Sequence, residues 1–572
     1  MHIEKCVAKR GVNQVDGIIV QIQDNAWLKS CSLLRSPIAD VAHGISPNPL
    51  TIKDEQDIMV HLVQQYFENS ADRFPDKIAV ECGDDNISYE ALDKISNGLA
   101  HHLIAQGAKR GAYVPIFIEK NVSAFKAMLG ILKADCAYVP LDTTSPGSRL
   151  LAILERLDAG YVMVDSKSEP VIKAVLEEAG SSVQVINVET APISDTSRRE
   201  YKNISVDMAY VIFTSGSTGV PKGVMISHFM IVDYIDFCVD LYDITETDVV
   251  SQHAPLYFDN SVLDIYCAWS AGATLQLVYD ELNVVIPKLA SWLRDKQISI
   301  FLAVPSVLTM LLKSRRMQPD MLPNMRHVIF SGEVIQPEII SKWMELYPHA
   351  QYTNMYGPTE ITVDCTFHPI LKAPRAEDGS VPIGKARPNM ECFVRLDSGE
   401  LSQEPGAEGE LLIRGLAVGY GYLHEDEKTR KVFIQNPQHD VYHDPMYCSG
   451  DKVQLAEDGN IIFQGRIDFQ IKYHGNRIEL GEIEAALAGL DSVGEAVVVF
   501  HDSPNPDEQA IGALITQLSD DDLSEFLDQV RADVGKLIPD YMVPTRLEVT
   551  TEDLPLTPNG KYDRKAVLAT LF

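Results

Sequence analysis

Apolar, strand-like runs alternate with amphipathic, helix-like segments over most of this chain. The runs at residues 113–118 (YVPIFI) and 161–165 (YVMVD) are each followed by a segment whose apolar residues have helical spacing. The alternation resumes after residue 225 and continues to about residue 360. Because parallel strands are joined by crossover helices, this order predicts an α/β fold with stacked mixed or parallel sheets covered by helices.

The pattern changes twice towards the carboxyl end. Between residues 380 and 465, short strand-like runs separated by Gly, Pro and Asp-Gly turns predict a small β-rich subdomain. After residue 468 the order helix, strand, strand, helix predicts a compact α+β unit. We therefore expect a poorly defined N-terminal appendage (residues 1–56), a large core domain (57–467) and a small C-terminal lid domain (468–572). The core should begin with a helix over residues 57–75 that ends at Pro75.

Charge and cysteine content exclude several functional classes. The 572 residues carry 49 Lys+Arg and 81 Asp+Glu, a net charge of −32, which disfavours nucleic acid and anionic membrane surfaces as partners. The nine cysteines are scattered and form no C-x-x-C pair, which argues against a zinc cluster and suits a reducing compartment. Since no apolar run approaches about 18 residues, we expect no membrane span and a cytoplasmic location.

A glycine-rich segment follows the strand-like run YVIF at residues 210–213. Its sequence, T-S-G-S-T-G-V-P-K-G over residues 214–223, places hydroxyl groups and permissive glycines where backbone N–H groups can surround phosphate oxygens. Lys222 adds a mobile cation. The spacing differs from that of the Walker loop. By itself the segment is weak evidence for phosphate binding, because a flexible surface loop is the alternative.

The string FTSGSTGVPKG (residues 213–223) resembles the signature loop of the adenylate-forming superfamily, which includes acyl-CoA ligases, luciferases and amino-acid adenylation enzymes. Further motifs of that superfamily follow in order over residues 57–568. They are ISYEAL (87–92), LKADCAYVPLD (132–142), YFDNSVLDIY (257–266), NMYGPTE (354–360), GELLIRG (409–415), YCSGD (447–451), GRIDFQIKYHGNRIELGEIE (465–484) and LPLTPNGKYDRKA (554–566). Asp135 stands where glycine is common, which puts one local turn in doubt.

The chain is most similar to the amino-acid adenylation domains of nonribosomal peptide synthetases and to D-alanine:carrier-protein ligases. The resemblance implies that ATP and Mg²⁺ are used to join a carboxylate to AMP, with release of pyrophosphate. It further implies transfer of the acyl group to a phosphopantetheine thiol on a carrier protein. The active site should lie between a large lobe and a small lid that rotates between the two half-reactions.

The same resemblance assigns roles to individual residues. Lys561, Thr359 and Glu360 are expected to be catalytic, with Lys561 stabilising the charge of the transition state and Glu360 also holding Mg²⁺. Asp468 is the expected hinge, and residues 472–477 should line the approach of the thiol. The expected ATP-binding residues are Thr214, Ser215, Gly216, Ser217, Thr218, Gly219, Lys222, Asn354, Met355, Tyr356, Gly357, Pro358, Asp451, Phe463 and Arg466.

Asp259 in the F-D-N-S string indicates the substrate class. An amino acid carries an α-ammonium group that needs a buried counter-charge, whereas fatty and aryl acids carry no such cation. The alternative for Asp259 is a helix N-cap, since it precedes an apolar helical run. The expected substrate pocket comprises Asp259, Asn260, Leu263, Leu302, Ile329, Ser331, Val363 and Asp364, with Met355 and Lys561 beside them.

Asp364 is the unusual member of this mostly aliphatic pocket. A carboxylate in an apolar pocket is costly unless it is paired, so Asp364 either meets a cationic or hydroxylated substrate side chain or turns towards solvent. Val363 and Ser331 also permit a small residue such as alanine. The pocket sequence does not identify one amino acid.

Several functional alternatives stay open at this point. The carrier is expected to be a separate protein, because no carrier-like segment follows the lysine motif before Phe572. A D-alanine:carrier-protein ligase is the main alternative. An acyl-CoA or aryl-acid ligase is disfavoured by Asp259, and an inactive scaffold by the intact loop and Lys561. Residues 1–56 are a conceivable docking segment for a helper protein.

Overall fold

The described part of the chain is an α/β structure with a small C-terminal lobe. This computed structural model describes residues 60–216, 221–375, 377, 379–503, 508–518, 522–551, 553–557 and 562–572. The expected appendage, residues 1–56, lies outside them. Residues 60–572 form one compact unit.

Strands in the described residues form five sheets. In chain order the strands are β1 (Ile78–Cys82), β2 (Asp85–Ser88), β3 (Tyr113–Phe117), β4 (Ala137–Pro140), β5 (Tyr161–Val164), β6 (Gln184–Asn187), β7 (Met208–Thr214), β8 (Lys222–Ser227), β9 (Val249–Gln252), β10 (Thr274–Leu277), β11 (Ile300–Ala303), β12 (His327–Phe330), β13 (Gln351–Tyr356), β14 (Thr366–Pro369), β15 (Lys385–Ala386), β16 (Met390–Arg395), β17 (Leu401–Ser402), β18 (Glu408–Gly415), β19 (Phe433–Gln435), β20 (Pro445–Leu455), β21 (Ile461–Arg466), β22 (Gln470–Tyr473), β23 (Asn476–Glu479), β24 (Val493–His501), β25 (Ala510–Gln517) and β26 (Arg546–Thr550).

Helices cover the two large sheets and pack within the C-terminal lobe. They are α1 (Gln64–Arg73), α2 (Tyr89–Ala105), α3 (Val122–Lys133), α4 (Gly147–Arg156), α5 (Glu169–Glu178), α6 (His228–Tyr242), α7 (Asn260–Ala271), α8 (Asp280–Val284), α9 (Ile286–Asp295), α10 (Pro305–Lys313), α11 (Pro337–Leu346), α12 (Asp426–Val432), α13 (Leu480–Ala488), α14 (Leu523–Val534) and α15 (Arg564–Leu571).

Two large, mainly parallel sheets form the core. One has the strand order β6-β5-β3-β4-β7-β8 and the other the order β15-β14-β13-β12-β11-β9-β10-β1-β2, with antiparallel strands at their edges. The central strands β11 and β12 are buried along their whole length, as expected for strands covered on both faces. Between the sheets, the indole of Trp269 makes edge contacts with the rings of Phe67, Phe125 and Tyr266.

The β-rich subdomain and the C-terminal lobe follow. Strands β16 to β20 form an antiparallel sheet that β21 extends, and the lobe contains the hairpin β22–β23 and the sheet β24-β25-β26. The predicted order helix, strand, strand, helix is found as α13, β24, β25 and α14. The predicted α/β class, with a large lobe, a β-rich subdomain and a small α+β lobe, is confirmed.

The first helix is shorter than predicted. It begins at Gln64 instead of near residue 57, and it ends at Arg73, close to the expected stop at Pro75. The side-chain oxygen of Gln65 accepts hydrogen bonds from the backbone N–H groups of His61 and Leu62. These backbone donors are therefore satisfied outside a helix, which explains the later start.

The turn at Asp135, which was in doubt because glycine is common at this position, is formed. It takes the left-handed conformation usual for glycine, with φ of 58°. Its carboxylate accepts the backbone N–H groups of Lys202 and Asn203 and pairs with Arg199 at 2.6 Å. These contacts hold a conformation that an aspartate tolerates better than most residues.

Candidate active site

A cavity of about 380 Å³ lies at the carboxyl edge of the larger parallel sheet. Its wall begins where β9, β11, β12 and β13 end, which is where parallel sheets usually bind ligands. The hairpin β22–β23 of the C-terminal lobe closes its other side. The residues that line it include Asp259, Asn260, Leu302, Ser331, Tyr356, Gly357, Pro358, Thr359, Asp451, Arg466, Lys472, Gly475 and Arg477.

Asp259 faces this cavity from the start of α7. Its side chain makes no capping hydrogen bond to the helix, so the N-cap alternative is not supported. Burial is the main reason why the pKa of its carboxyl is raised to about 7; the charges of Asp364 and Glu360 contribute to the rise, while the Thr359 hydrogen bond and the charge of Arg477 oppose it. The cavity thus contains a carboxyl group that the protein itself does not fully compensate.

The other expected substrate-binding residues divide into two groups. Asn260, Leu302 and Ser331 line the cavity with Asp259. Leu263, Ile329 and Val363 are buried in the apolar core behind it.

Asp364 is buried and points inwards, so the expected alternative of a turn towards solvent is wrong. The hydroxyl of Tyr234 donates to one of its oxygens at 2.8 Å, and Ser331 Oγ donates to the other at 2.7 Å. Burial raises the pKa of Asp364 to about 6, against these hydrogen bonds and nearby cations. Ser331 lines the cavity and Asp364 lies behind it, so the hydroxyl of Ser331 is the polar group that the cavity wall presents here.

Glu360 lies beside Asp259 but has the opposite environment. It is fully buried, and its two oxygens accept hydrogen bonds from Arg477 at 2.6 Å and from Tyr422 at 2.7 Å. Burial raises its pKa, but the charges of Arg477 and Lys222 outweigh that effect and lower it to about 2. Arg477 belongs to β23, so this ion pair joins the two lobes.

The metal expected at Glu360 does not fit this arrangement. Both carboxylate oxygens are engaged by Arg477 and Tyr422. The described residues also contain no group of three or more His, Cys, Asp or Glu side chains that could hold a metal ion. In this conformation Glu360 therefore has no oxygen that is free of a protein donor and available to Mg²⁺.

The nucleotide motifs meet at the end of the cavity near β20 and β21. Asp451 accepts hydrogen bonds from the Tyr356 hydroxyl and from Arg466, the latter at 2.8 Å. Arg466 also pairs with Asp468 at 2.5 Å, across the predicted hinge. A carboxylate offers about four acceptor positions, so Asp451 retains capacity for a vicinal diol.

Other expected nucleotide residues lie near this end. Thr359 and Pro358 line the cavity, whereas Asn354 and Met355 are buried beneath it and the partly buried Phe463 packs against the core of the β-rich subdomain. Gly357 also lines it. A Cβ atom on Gly357 would lie 2.2 Å from the carbonyl oxygen of Val363, so only glycine fits there.

The described ends of the glycine-rich segment contact the C-terminal lobe. Ser215 Oγ donates to the carbonyl of Arg477 at 2.8 Å, and the backbone N–H of Gly216 donates to Glu482 at 3.0 Å. The hydroxyl of Thr214 is buried without a hydrogen-bond partner in the described structure.

Lys222 was expected to be a mobile cation, but it is buried and pairs with Glu479 at 3.3 Å. Its ammonium group also lies 5.1 Å from the centre of the Tyr422 ring. The expectation of mobility is therefore wrong, because both neighbours hold the ammonium group in place.

Four expected site residues lie outside the described residues, namely Lys561, Ser217, Thr218 and Gly219. Tyr562, the neighbour of Lys561, bridges to Leu556 and has its hydroxyl 3.2 Å from Glu495. Neither Tyr562 nor Leu556 lines the cavity.

Sequence reasoning missed the contacts that position the hairpin. Glu333, which follows β12, accepts the backbone N–H of Gly475 at 2.7 Å and that of Ser306 at 2.8 Å. It thereby links the tip of the hairpin to the first turn of α10. Glu333 lies in the string SGEVI, and no local spacing marks it as the partner of a residue 142 positions away.

Among the helices that the structure describes, none combines the length and apolar character that crossing a bilayer requires.

Comparison with known proteins gives consistent matches. Residues 67–423 match the AMP-binding enzyme family, and residues 482–561 match the AMP-binding enzyme C-terminal domain. Tyrocidine synthase 1 from Brevibacillus parabrevis is 32% identical over 88% of this chain, which spans 44% of that relative. Zwittermicin A synthase ZmaJ from Bacillus cereus is also 32% identical, with 89% of this chain and 95% of the relative covered.

A solved structure shares the fold. The Vibrio cholerae adenylation domain AlmE, solved in complex with glycyl-adenosine-5′-phosphate, superposes with a TM-score of 0.77 at 23% identity. The match covers 92% of this chain and 99% of AlmE.

Proposed function

Because the chain belongs to the AMP-binding enzyme family, we propose that this AMP-forming ligase activates an amino acid and transfers it to a thiol. In the first step a carboxylate oxygen of the amino acid bonds to the α-phosphorus of ATP, and the bond to pyrophosphate breaks. In the second step the phosphopantetheine thiol of a separate carrier protein bonds to the acyl carbon, and AMP leaves. The setting is nonribosomal peptide or related secondary metabolite biosynthesis.

The proposal that the substrate is an amino acid depends on Asp259. It lines the cavity at the start of α7, and burial raises the pKa of its carboxyl to about 7. An α-ammonium group placed beside it would stabilise the ionised carboxylate by a charge-assisted hydrogen bond. The AlmE complex contains an aminoacyl adenylate, which supports the same class of substrate.

The nucleotide is proposed to extend from Asp451 and Arg466 to the glycine-rich segment. The ribose hydroxyls would meet Asp451, the adenine would lie against Tyr356, and the phosphates would meet the donors of residues 214–222. Thr359 would contact the α-phosphate. The unpartnered hydroxyl of Thr214 and the acceptor capacity of Asp451 support this path.

The described arrangement of the lobes corresponds, in this proposal, to the second half-reaction. The hairpin β22–β23 lines the cavity, whereas the described neighbours of Lys561 do not. The first half-reaction would then need the lid, residues 468–572, to turn on Asp468 against the core, residues 57–467. Lys561 would enter the cavity in that other orientation and stabilise the charge on the reacting oxygens.

Ser331 supports a substrate with a short, donor-bearing side chain. Its hydroxyl hydrogen is used by Asp364, so its oxygen presents acceptor lone pairs to the cavity. A hydroxyl or amino group on the substrate could donate to this oxygen. We therefore propose a small polar amino acid as the preferred substrate.

ATP–pyrophosphate exchange, measured across L- and D-amino acids, β-amino acids and simple carboxylates, tests the proposal. Exchange should depend on an amino group and be highest for small amino acids with a hydroxyl or amino side chain. A preference for D-alanine would identify the D-alanine:carrier-protein alternative instead. Exchange with carboxylates that lack an amine would favour the acyl-CoA or aryl-acid alternative.

The Lys561→Ala variant is the matched test of catalysis. It should lose most exchange activity while retaining ATP binding, measured by calorimetry. Exchange near the parent rate would contradict the role of Lys561, and no exchange by the parent chain with any acid would favour an inactive scaffold.

A further inference from the structure

Glu482, in the first turn of α13, is a fully buried carboxylate that reaches from the C-terminal lobe into the core. One oxygen accepts the backbone N–H of Gly216 at 3.0 Å. The other oxygen pairs with Arg149 of α4. A lid carboxylate is thus the acceptor for a backbone donor at the described edge of the glycine-rich segment.

A second lid carboxylate lies close by in sequence. Glu479 pairs with Lys222 at 3.3 Å, and the same oxygen of Glu479 accepts a hydrogen bond from Gln470. Gly216 N–H and Lys222 Nζ are a backbone donor and a cation, the two kinds of group with which proteins bind phosphate oxygens. In the described arrangement both of these groups are occupied by anions of the protein itself.

We propose that Glu482 is an internal competitor for the pyrophosphate end of the nucleotide. A pyrophosphate oxygen and the Glu482 carboxylate cannot both accept the Gly216 N–H, and two anions placed there would repel each other. Pyrophosphate and the docked lid therefore exclude one another. Glu482 is a positioning residue, since it acts through Gly216 and Arg149. This inference rests on the proposed function, which places the phosphates at this segment.

The competition has a thermodynamic consequence. If pyrophosphate binds only when the lid is undocked, its apparent dissociation constant is the intrinsic value divided by the undocked fraction. Weakening the lid contact raises that fraction, so pyrophosphate should bind more tightly. A weaker lid contact should also slow thiol transfer, because that step needs the docked lid.

The direct test is calorimetric titration of magnesium pyrophosphate into the full chain. Glu482→Gln keeps the size of the side chain but removes its charge, and should bind pyrophosphate about tenfold more tightly than the parent. The matched control is Glu525→Gln, which removes an exposed carboxylate of the same lobe and should leave the affinity unchanged. Equal or weaker binding by Glu482→Gln would overturn the proposal.

A double variant separates competition from the freed charge of Arg149. Glu482→Gln combined with Arg149→Gln removes one charge of each sign, so the net charge of the site is unchanged. Competition predicts that this variant still binds pyrophosphate more tightly than the parent. Affinity equal to or below that of the parent would show that the arginine charge caused the effect and would overturn the proposal.

Separate controls test whether the variant folds and whether the proposed function holds. If Glu482→Gln fails to fold, as judged by thermal melting, Glu482→Asp carries the test, because it keeps the charge and withdraws the carboxylate by one methylene. Pyrophosphate binding needs no amino acid. Absence of amino-acid exchange would therefore undo the proposed function, whereas exchange by the parent with no gain in pyrophosphate affinity for the variants would undo this inference alone.

Discussion

Two neighbouring carboxylates, Asp259 in the cavity wall and the fully buried Glu360, have contrasting environments. Glu360 is surrounded by donors, and the charges of Arg477 and Lys222 lower its pKa to about 2 despite burial. Among the described residues no Lys or Arg forms an ion pair with Asp259, and burial raises its pKa to about 7. The first carboxylate is compensated by the protein and joins the lobes. The second has no such partner among the described residues, and in the proposed function the ammonium group of the substrate takes that place.

Replacement of Asp259 by Asn should have the largest effect. Removing one partner of a buried, hydrogen-bonded charge pair costs roughly 2–5 kcal/mol, so kcat/KM for amino acids should fall by a factor of about 30 to several thousand. Exchange kinetics with the best amino acid measure this loss. Asn260→Ala, at the next position of the cavity wall, is the control and should have a much smaller effect. A change below about threefold for Asp259→Asn would remove Asp259 from ammonium binding.

Replacement of Arg477 by Gln should affect the other carboxylate. Glu360 would lose its cation from the lid, and its pKa should rise from about 2 because burial would no longer be outweighed to the same extent. The lid would dock less well, so transfer to a carrier thiol should fall about tenfold. Quenched-flow measurement of thioester formation from preformed aminoacyl-AMP tests this. Arg531→Gln, on the outer part of the same lobe, should transfer at the parent rate. Unchanged transfer by Arg477→Gln would contradict the role of the ion pair.

The pH dependence should distinguish the two carboxylates. Only ionised Asp259 attracts an ammonium group, and its raised pKa means that it becomes protonated as the pH falls through about 7. We expect kcat/KM for amino acids to level off near pH 8 and to fall up to tenfold per pH unit below pH 7. Glu360, with a pKa of about 2, stays ionised over this range. In Asp259→Asn the slope should vanish, and a persisting slope would assign the titration to another group.

Ser331→Ala should give the smallest effect. Loss of its oxygen removes one neutral hydrogen bond to the substrate side chain, worth about 0.5–1.5 kcal/mol. Selectivity for hydroxyl- or amine-bearing substrates over alanine should therefore fall by a factor of about 2 to 13. Competition between paired substrates in the exchange assay measures the ratio. An unchanged ratio would show that the polar side chain does not reach Ser331.

Local patterns in the sequence predict the fold well. The alternation of apolar strands with amphipathic helices predicts the two large sheets, because burial on both faces requires uninterrupted apolar strands such as β12. The turn at Asp135 is different, because its stability depends on Arg199 and on backbone groups that are more than sixty residues away.

The candidate site is only partly predictable. Asp259, Ser331 and Thr359 lie at the cavity because they follow strands or begin a helix at the carboxyl edge of the sheet. The charge state of a carboxylate depends on its spatial neighbours, and the pairing of Glu360 with Arg477 spans 117 residues. No motif spacing contains that information. The roles assigned to the site residues remain predictions.

The polarity of the contacts between the lobes has a consequence for molecular recognition within the chain. Two cations of the core, Lys222 and Arg149, meet carboxylates of the lid, whereas Arg477 of the lid meets a carboxylate of the core. Because each lobe presents both positive and negative groups to the other, a displaced lid would bring like charges together and would be disfavoured. The sequence of positive and negative charges along the contact thus favours one docking orientation of the lid.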